Sequence, residues 1–227
     1  MIVLAIDTTA DTGSVCLLDS QSGELSSHAI EAPDGFGHVL FNEIRRVLDE
    51  RGLMAFDVDL FAAASGPGSF TGVRVGLACI KGLAEACDKR AIGVSTLQAI
   101  ASLGTAKLRM PIIDARRGEI YAAVYDSVGS RVVDERVLPF DAWLETLTRE
   151  HLPASEVELL SPSADLFQPR LESTAFATSR FTATPLAIAP AIAQIAIKLA
   201  ESGAGDPLLV DANYVRRSDA ELFWVDK

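Results

Sequence analysis

The chain has 227 residues, 49% of them hydrophobic, enough for one large domain or two small ones with a real core. A formal net charge of −11 and an isoelectric point near 4.7 repel a polyanion, which argues against a protein that holds nucleic acid unaided. Cys16, Cys79 and Cys87 lie in apolar stretches and read as reduced thiols, and no apolar run reaches the roughly 20 residues of a membrane span, so a soluble cytoplasmic protein is expected.

The opening MIVLAIDTT reads as a core strand and not as a secretion signal, because it carries no basic leader. Short strands are expected over residues 2–6, 14–18 and 25–30, joined by turn-forming residues into an antiparallel meander. The spacing then predicts a helix over 37–51, with Leu40, Phe41, Ile44, Val47 and Leu48 on one face and Gly52 as its stop. A strand over 60–64, a glycine turn over 65–69 and a helix over 70–87 follow, the helix carrying Phe70, Val73, Leu77, Ile80 and Leu83 at helical spacing. A strand over 91–94 and a helix over 96–103 close this half.

The order then repeats with little similarity of sequence. Strands are expected over 110–113, 119–125 and 131–137, a helix over 141–150, strands over 157–160 and 174–177, and an alanine-rich helix over 186–201. Residues 1–104 and 105–227 thus read as two βββαβα-type halves of an α/β chain. Right-handed crossovers would give each half a mixed sheet with helices on both faces. That is a duplicated ribonuclease-H-like fold, the actin-like or ASKHA class, with a cleft between its halves. A doubly wound nucleotide-binding fold fits less well, because it begins with a strand and a helix.

The sharpest motif is Ser65-Gly66-Pro67-Gly68-Ser69-Phe70-Thr71-Gly72, set between a strand and a helix. Backbone N–H groups at such a turn can bind an anion, and glycine permits close approach. The motif is neither a P-loop, since no Gly-Lys-Ser/Thr follows, nor a dinucleotide fingerprint. The same glycines equally permit tight packing of helix on sheet, and Gly72 and Gly76, one turn apart, would give a smooth docking face. Packing or docking is the favoured of the two.

Asp7-Thr8-Thr9 ends the first strand, and Asp114-Ala115-Arg116-Arg117-Gly118 holds the corresponding place in the second half. An aspartate at each position could orient a magnesium-bound nucleotide, and both segments equally suit ordinary turn chemistry. The candidate cleft or nucleotide contacts are therefore Asp7, Thr8, Thr9, Gly66, Gly68, Ser69, Asp114 and Arg116. His28, His38 and His151 are scattered, with no two at ligand spacing, so no metal site is expected. No nucleophile-base pair stands out, which leaves no catalytic residue to name and makes a protease implausible.

AIDTT near the start, SGPGSFTGVRVG, GVSTLQAIA and DARRGEIYAAVY together resemble the TsaB family, the bacterial partner subunits in making threonylcarbamoyladenosine beside the tRNA anticodon. The resemblance is strong to about Tyr125 and returns at Asn213-Tyr214-Val215-Arg216, where Ala212 stands in place of the family's proline. It implies a non-catalytic subunit that pairs with TsaD, the transferase, works with the ATPase TsaE, and forms a homodimer when alone. Direct nucleic-acid and membrane binding are not expected. It implies no cofactor for the chain itself, with ATP and magnesium left to the complex. TsaD holds its metal through two histidines four residues apart, whereas here His38 is followed four residues later by Asn42. The resemblance further implies docking through the two long helices of the first half, with candidate contacts Leu40, Ile44, Val47, Leu48, Val73, Gly76, Leu77 and Ile80. The alternative is an actin-like small-molecule kinase or acyltransferase that uses Asp7 and Asp114.

Overall fold

The computed structural model describes residues 1–215. Its first sheet has the order β3-β2-β1-β4-β5. β1 (Ile2–Asp7), β2 (Thr12–Asp19) and β3 (Leu25–Glu31) form the antiparallel meander. β4 (Leu60–Ala64) then joins β1 in parallel and β5 (Arg90–Val94) joins β4. β1 and β4 lie inside the sheet with both faces covered, which is why they read as unbroken apolar runs.

α1 (Leu40–Asp49) is shorter than the sequence suggests, because residues 36–38 form a separate 3-10 turn before it. α2 (Phe70–Cys87) starts at Ser69, whose Oγ accepts the Gly72 N–H at 3.2 Å, and stops at Asp88 in the left-handed conformation. α3 (Thr96–Ala101) follows β5.

The second sheet repeats the pattern, in the order β10-β9-β6-β7-β8. β6 (Leu108–Asp114), β7 (Glu119–Asp126) and β8 (Arg131–Pro139) form its meander, and α4 (Phe140–Arg149) leads to the parallel strand β9 (Val157–Ser161). α5 (Ala164–Leu171) has no counterpart in the sequence reading, since Pro169 inside it breaks the helical pattern. The strand expected over 174–177 is absent: those residues fold into hydrogen-bonded turns, with Thr174 N–H on Leu171 O and Ala177 N–H on Thr174 O. The strand instead comes slightly later, as β10 (Arg180–Ala183), parallel to β9. Three antiparallel strands followed by parallel ones, occurring twice, make this a duplicated ribonuclease-H-like α/β chain.

The chain divides into two compact units, one of Met1–Ala99 with Pro185–Asn213 and the other built on Ile100–Thr184. This corrects the simple split at residue 104. α6 (Ala189–Glu201) packs on β1, β2, β4 and β5 of the first sheet, and its Ala189 N–H donates to Ser14 Oγ at 3.0 Å. Chain order alone assigns this helix to the second half. Its abundance of alanine, however, suits a close approach to the bare face of the first sheet.

The other face of that sheet takes α1 and α2. Leu40, Ile44, Val47 and Leu48 from α1 and Val73, Leu77 and Ile80 from α2 form one core with Leu4, Ile6, Val15, Leu17, Phe61 and Ala63 of the strands. Gly76 is buried as well. All eight residues taken as partner contacts therefore lie inside the protein's own core. An amphipathic stripe records that something covers it, and here the cover is the sheet. Phe41, read as part of the inward stripe, points outward and is 60% exposed.

Candidate functional site

β1 delivers Asp7 to the end of the first hairpin, where the carboxyl is 2% exposed. Its Oδ1 accepts both the Thr9 N–H, at 2.9 Å, and the Thr9 hydroxyl, at 2.7 Å. Burial pushes this carboxyl from 3.8 up to about 6, against the pull of the two Thr9 hydrogen bonds.

The start of α2 lies directly on this turn. Thr8 Oγ1 donates to the Gly72 carbonyl at 2.7 Å, and the Ser69 N–H donates to the Thr9 carbonyl at 2.7 Å. Gly68, Gly72 and Gly76, spaced by four, present their bare sides to the turn. A Cβ on Gly68 would sit 2.5 Å from Thr9 O, one on Gly76 would sit 2.6 Å from Thr8 Oγ1, and one on Gly72 would run into the Thr8 carbonyl. The glycines thus permit close packing.

At the positive end of α2 the Ser69 N–H is thus taken by the Thr9 carbonyl and the Gly72 N–H by Ser69 Oγ. Gly68 and Ser69, candidates for nucleotide contact, lie against Thr9. Gly66 takes φ of 96° ahead of a cis bond to Pro67, and its carbonyl accepts the Thr96 N–H at 2.9 Å. The far side of the hairpin is equally close: the Phe36 ring and the Asp7 carbonyl occupy the space a side chain on Gly13 would need.

In the second unit, Asp114 ends β6, the equivalent of β1. Its Oδ1 accepts the Arg116 N–H at 2.8 Å, and Arg116 and Arg117 are exposed residues with φ of 64° and 55°. This is an Asx turn, the ordinary chemistry of an aspartate two residues before a bend. Asp7, Thr8, Thr9, Gly68 and Ser69 therefore come together in one cluster, and Asp114 and Arg116 in another. Tyr214 is exposed, and Arg216 lies outside the described residues.

Sequence reasoning missed Thr8 as the seat of α2, and Gly13 with Phe36. It also missed Glu158, which is buried in β9. Its Oε2 accepts the Thr105 and Ala106 N–H groups at 2.7 and 2.8 Å, its Oε1 accepts the Thr182 hydroxyl at 2.6 Å, and Arg180 lies 3.4 Å away. Burial opposes its ionisation, yet these donors and the guanidinium outweigh that and hold the carboxyl below its usual range. A lone acid in the apolar run Val157–Ser161 was the available signal. Among the described residues no group of three or more His, Cys, Asp or Glu could hold a metal ion, and no helix is long and apolar enough to cross a membrane. Cys16 and Cys79 are buried and Cys87 half-buried, all free thiols.

Residues 34–221 match the family model described as TsaD, tRNA N6-adenosine threonylcarbamoyltransferase. The chain is 29% identical to the tRNA threonylcarbamoyladenosine biosynthesis protein TsaB of Bacillus subtilis, covering 100% of this chain and 99% of that one. It is 36% identical to TsaB of Escherichia coli over 55% of each chain. The solved structure of YeaZ from Pseudomonas aeruginosa is similar with a TM-score of 0.72 at 25% identity, covering 94% of this chain and 100% of that one. With its full length aligned to a TsaB protein and most of it matched by the TsaD model, the chain belongs to the TsaB family, within the wider family that model describes.

Proposed function

We propose that the chain is the non-catalytic partner subunit of a threonylcarbamoyl transfer complex, one that binds a TsaD-type transferase and favours its competent arrangement. The observation that carries this reading is the close packing of the start of α2 on the first hairpin, where the Thr9 carbonyl accepts the Ser69 N–H and Gly68 and Gly72 leave no room for a side chain against Thr8 and Thr9. The relatives named TsaB belong to threonylcarbamoyladenosine biosynthesis, and the matching family model is that of the transferase itself.

The docking surface lies on the outer sides of α1 and α2, opposite the buried stripe. There Phe41, Phe70, Ala78 and Gly82 are exposed, a mixture of aromatic anchors and small residues that lets another helix approach closely. TsaE completes the working complex, and the same surface supports a homodimer when TsaD is absent. The net charge of −11 leaves the grip on tRNA to the partner. Binding energy spent on the competent TsaD arrangement shifts its population without any group of this chain touching substrate. Threonylcarbamoyl transfer to tRNA by TsaD and TsaE, with and without this protein, is the test. A clear rise in rate on its addition is expected, and equal rates would defeat the proposal.

A further inference from the structure

The first hairpin ends against the start of α2 on one side and against the 3-10 turn that precedes α1 on the other. On one side, Thr8 donates to the Gly72 carbonyl, and Gly68, Gly72 and Gly76 leave no space for any side chain between α2 and the turn. On the other side, Gly13 gives up its side chain to the Phe36 ring. Phe36 is 7% exposed and opens the 3-10 turn that ends one residue before α1. Asp7 makes the hairpin end stiff by taking both the Thr9 N–H and hydroxyl on one oxygen. Thr9 then offers its carbonyl to the Ser69 N–H, and Ser69 Oγ accepts from Gly72, so the hydrogen bonds run unbroken from β1 into α2.

We propose that residues 7–13 form the common seat of α1 and α2, and that Thr8 is a positioning residue that sets which face of α2 the partner meets. An α-helix turns by about 100° per residue, so a slip of one residue on its seat would turn Ala78 and Gly82 away from the side of α2 on which they are now exposed. The buried apolar stripe alone permits small slips, because side chains such as Val73 and Leu77 can repack against the sheet. The contacts of Gly72 with the Thr8 carbonyl and of Gly68 with the Thr9 carbonyl do not, since backbone meets backbone there. The inference rests on α1 and α2 carrying the docking face.

The test is the affinity of the full-length chain for TsaD, measured by calorimetry well below the unfolding temperature, beside thermal unfolding. Thr8→Val keeps the shape and removes the hydroxyl, and Thr8→Ser restores the donor. Thr8→Val is expected to stay folded and bind roughly tenfold more weakly, with Thr8→Ser back within about threefold of wild type. A folded Thr8→Val with wild-type affinity overturns the inference. Ala78→Arg, on the outer face, separates the two ideas: if it abolishes binding while Thr8→Val does nothing, the seat fails and the docking surface stands. If neither variant weakens binding, the docking surface fails as well. Should Thr8→Val not fold, Phe36→Leu probes the same seat from the α1 side, and an unchanged affinity there overturns the proposal.

Discussion

Thr8 and Gly72 are locked face to face, the threonine hydroxyl on the glycine carbonyl at 2.7 Å and the threonine carbonyl against the glycine's bare α-carbon. A methyl group at Gly72 has nowhere to go, because its neighbour is backbone. Gly72→Ala is expected to destabilise the protein by about 3 kcal/mol or more. Gly82, in the same helix, has open space beside it. Gly82→Ala should stabilise by roughly 0.5–1 kcal/mol through helix propensity. Chemical denaturation of the two variants checks both signs.

Asp7 makes stability fall as pH rises. Its carboxyl is raised from 3.8 to about 6 in the folded protein, so between those values the folded state binds more protons than the unfolded one. The contribution is complete below the unfolded value and is lost as pH rises through about 6, a swing of roughly 3 kcal/mol. Asp7→Asn keeps an oxygen for Thr9 and removes the ionisation. It should raise stability at neutral pH by about 1–3 kcal/mol and flatten the dependence, read from urea unfolding across that range.

Glu158 has the opposite sign. Its carboxyl sits below the usual 4.5, so its contribution is present above that value and lost as pH falls through the folded one. Acid should therefore loosen residues 104–107 in the second unit while it favours the first. Glu158→Ala strands two amides that now share one oxygen and is expected to cost about 2–4 kcal/mol. Hydrogen exchange at Thr105 and Ala106 reports the loss directly.

The two sides of α1 should respond differently to truncation. Ile44 is buried in the core and Ile44→Ala is expected to cost about 2–5 kcal/mol. Phe41→Ala should leave stability within about 0.5 kcal/mol and weaken association with TsaD by roughly tenfold or more. Paired unfolding and binding measurements separate them.

The strand at Leu60–Ala64 and the helix at Phe70–Cys87 were legible to the residue, since each has a clean period and glycine or polar punctuation at its ends. The helix at Ala164–Leu171 was hidden by its internal proline, and the short strand Arg180–Ala183 offers too few residues to show a period. In the site, the glycine spacing was visible and its meaning was not. Thr8, which explains it, is 64 residues from Gly72, and nothing local links them. The buried stripe on α1 and α2 was legible as apolar and its cover was not, because periodicity names a face without naming its neighbour. Which residues remain outside, Phe41 above all, only the fold could tell.

The return of α6 to the first sheet governs how the molecule can be made. While a ribosome is still extending the chain, Val3 and Ala5 have no lid over them until residues 189–201 have emerged, by which time residues 100–184 of the second unit have been synthesised. A fragment ending at residue 104 should therefore be sticky and poorly soluble, and a separate peptide of residues 185–213 should rescue it. The first half of the sequence is not half of a protein: it is a sandwich missing one slice.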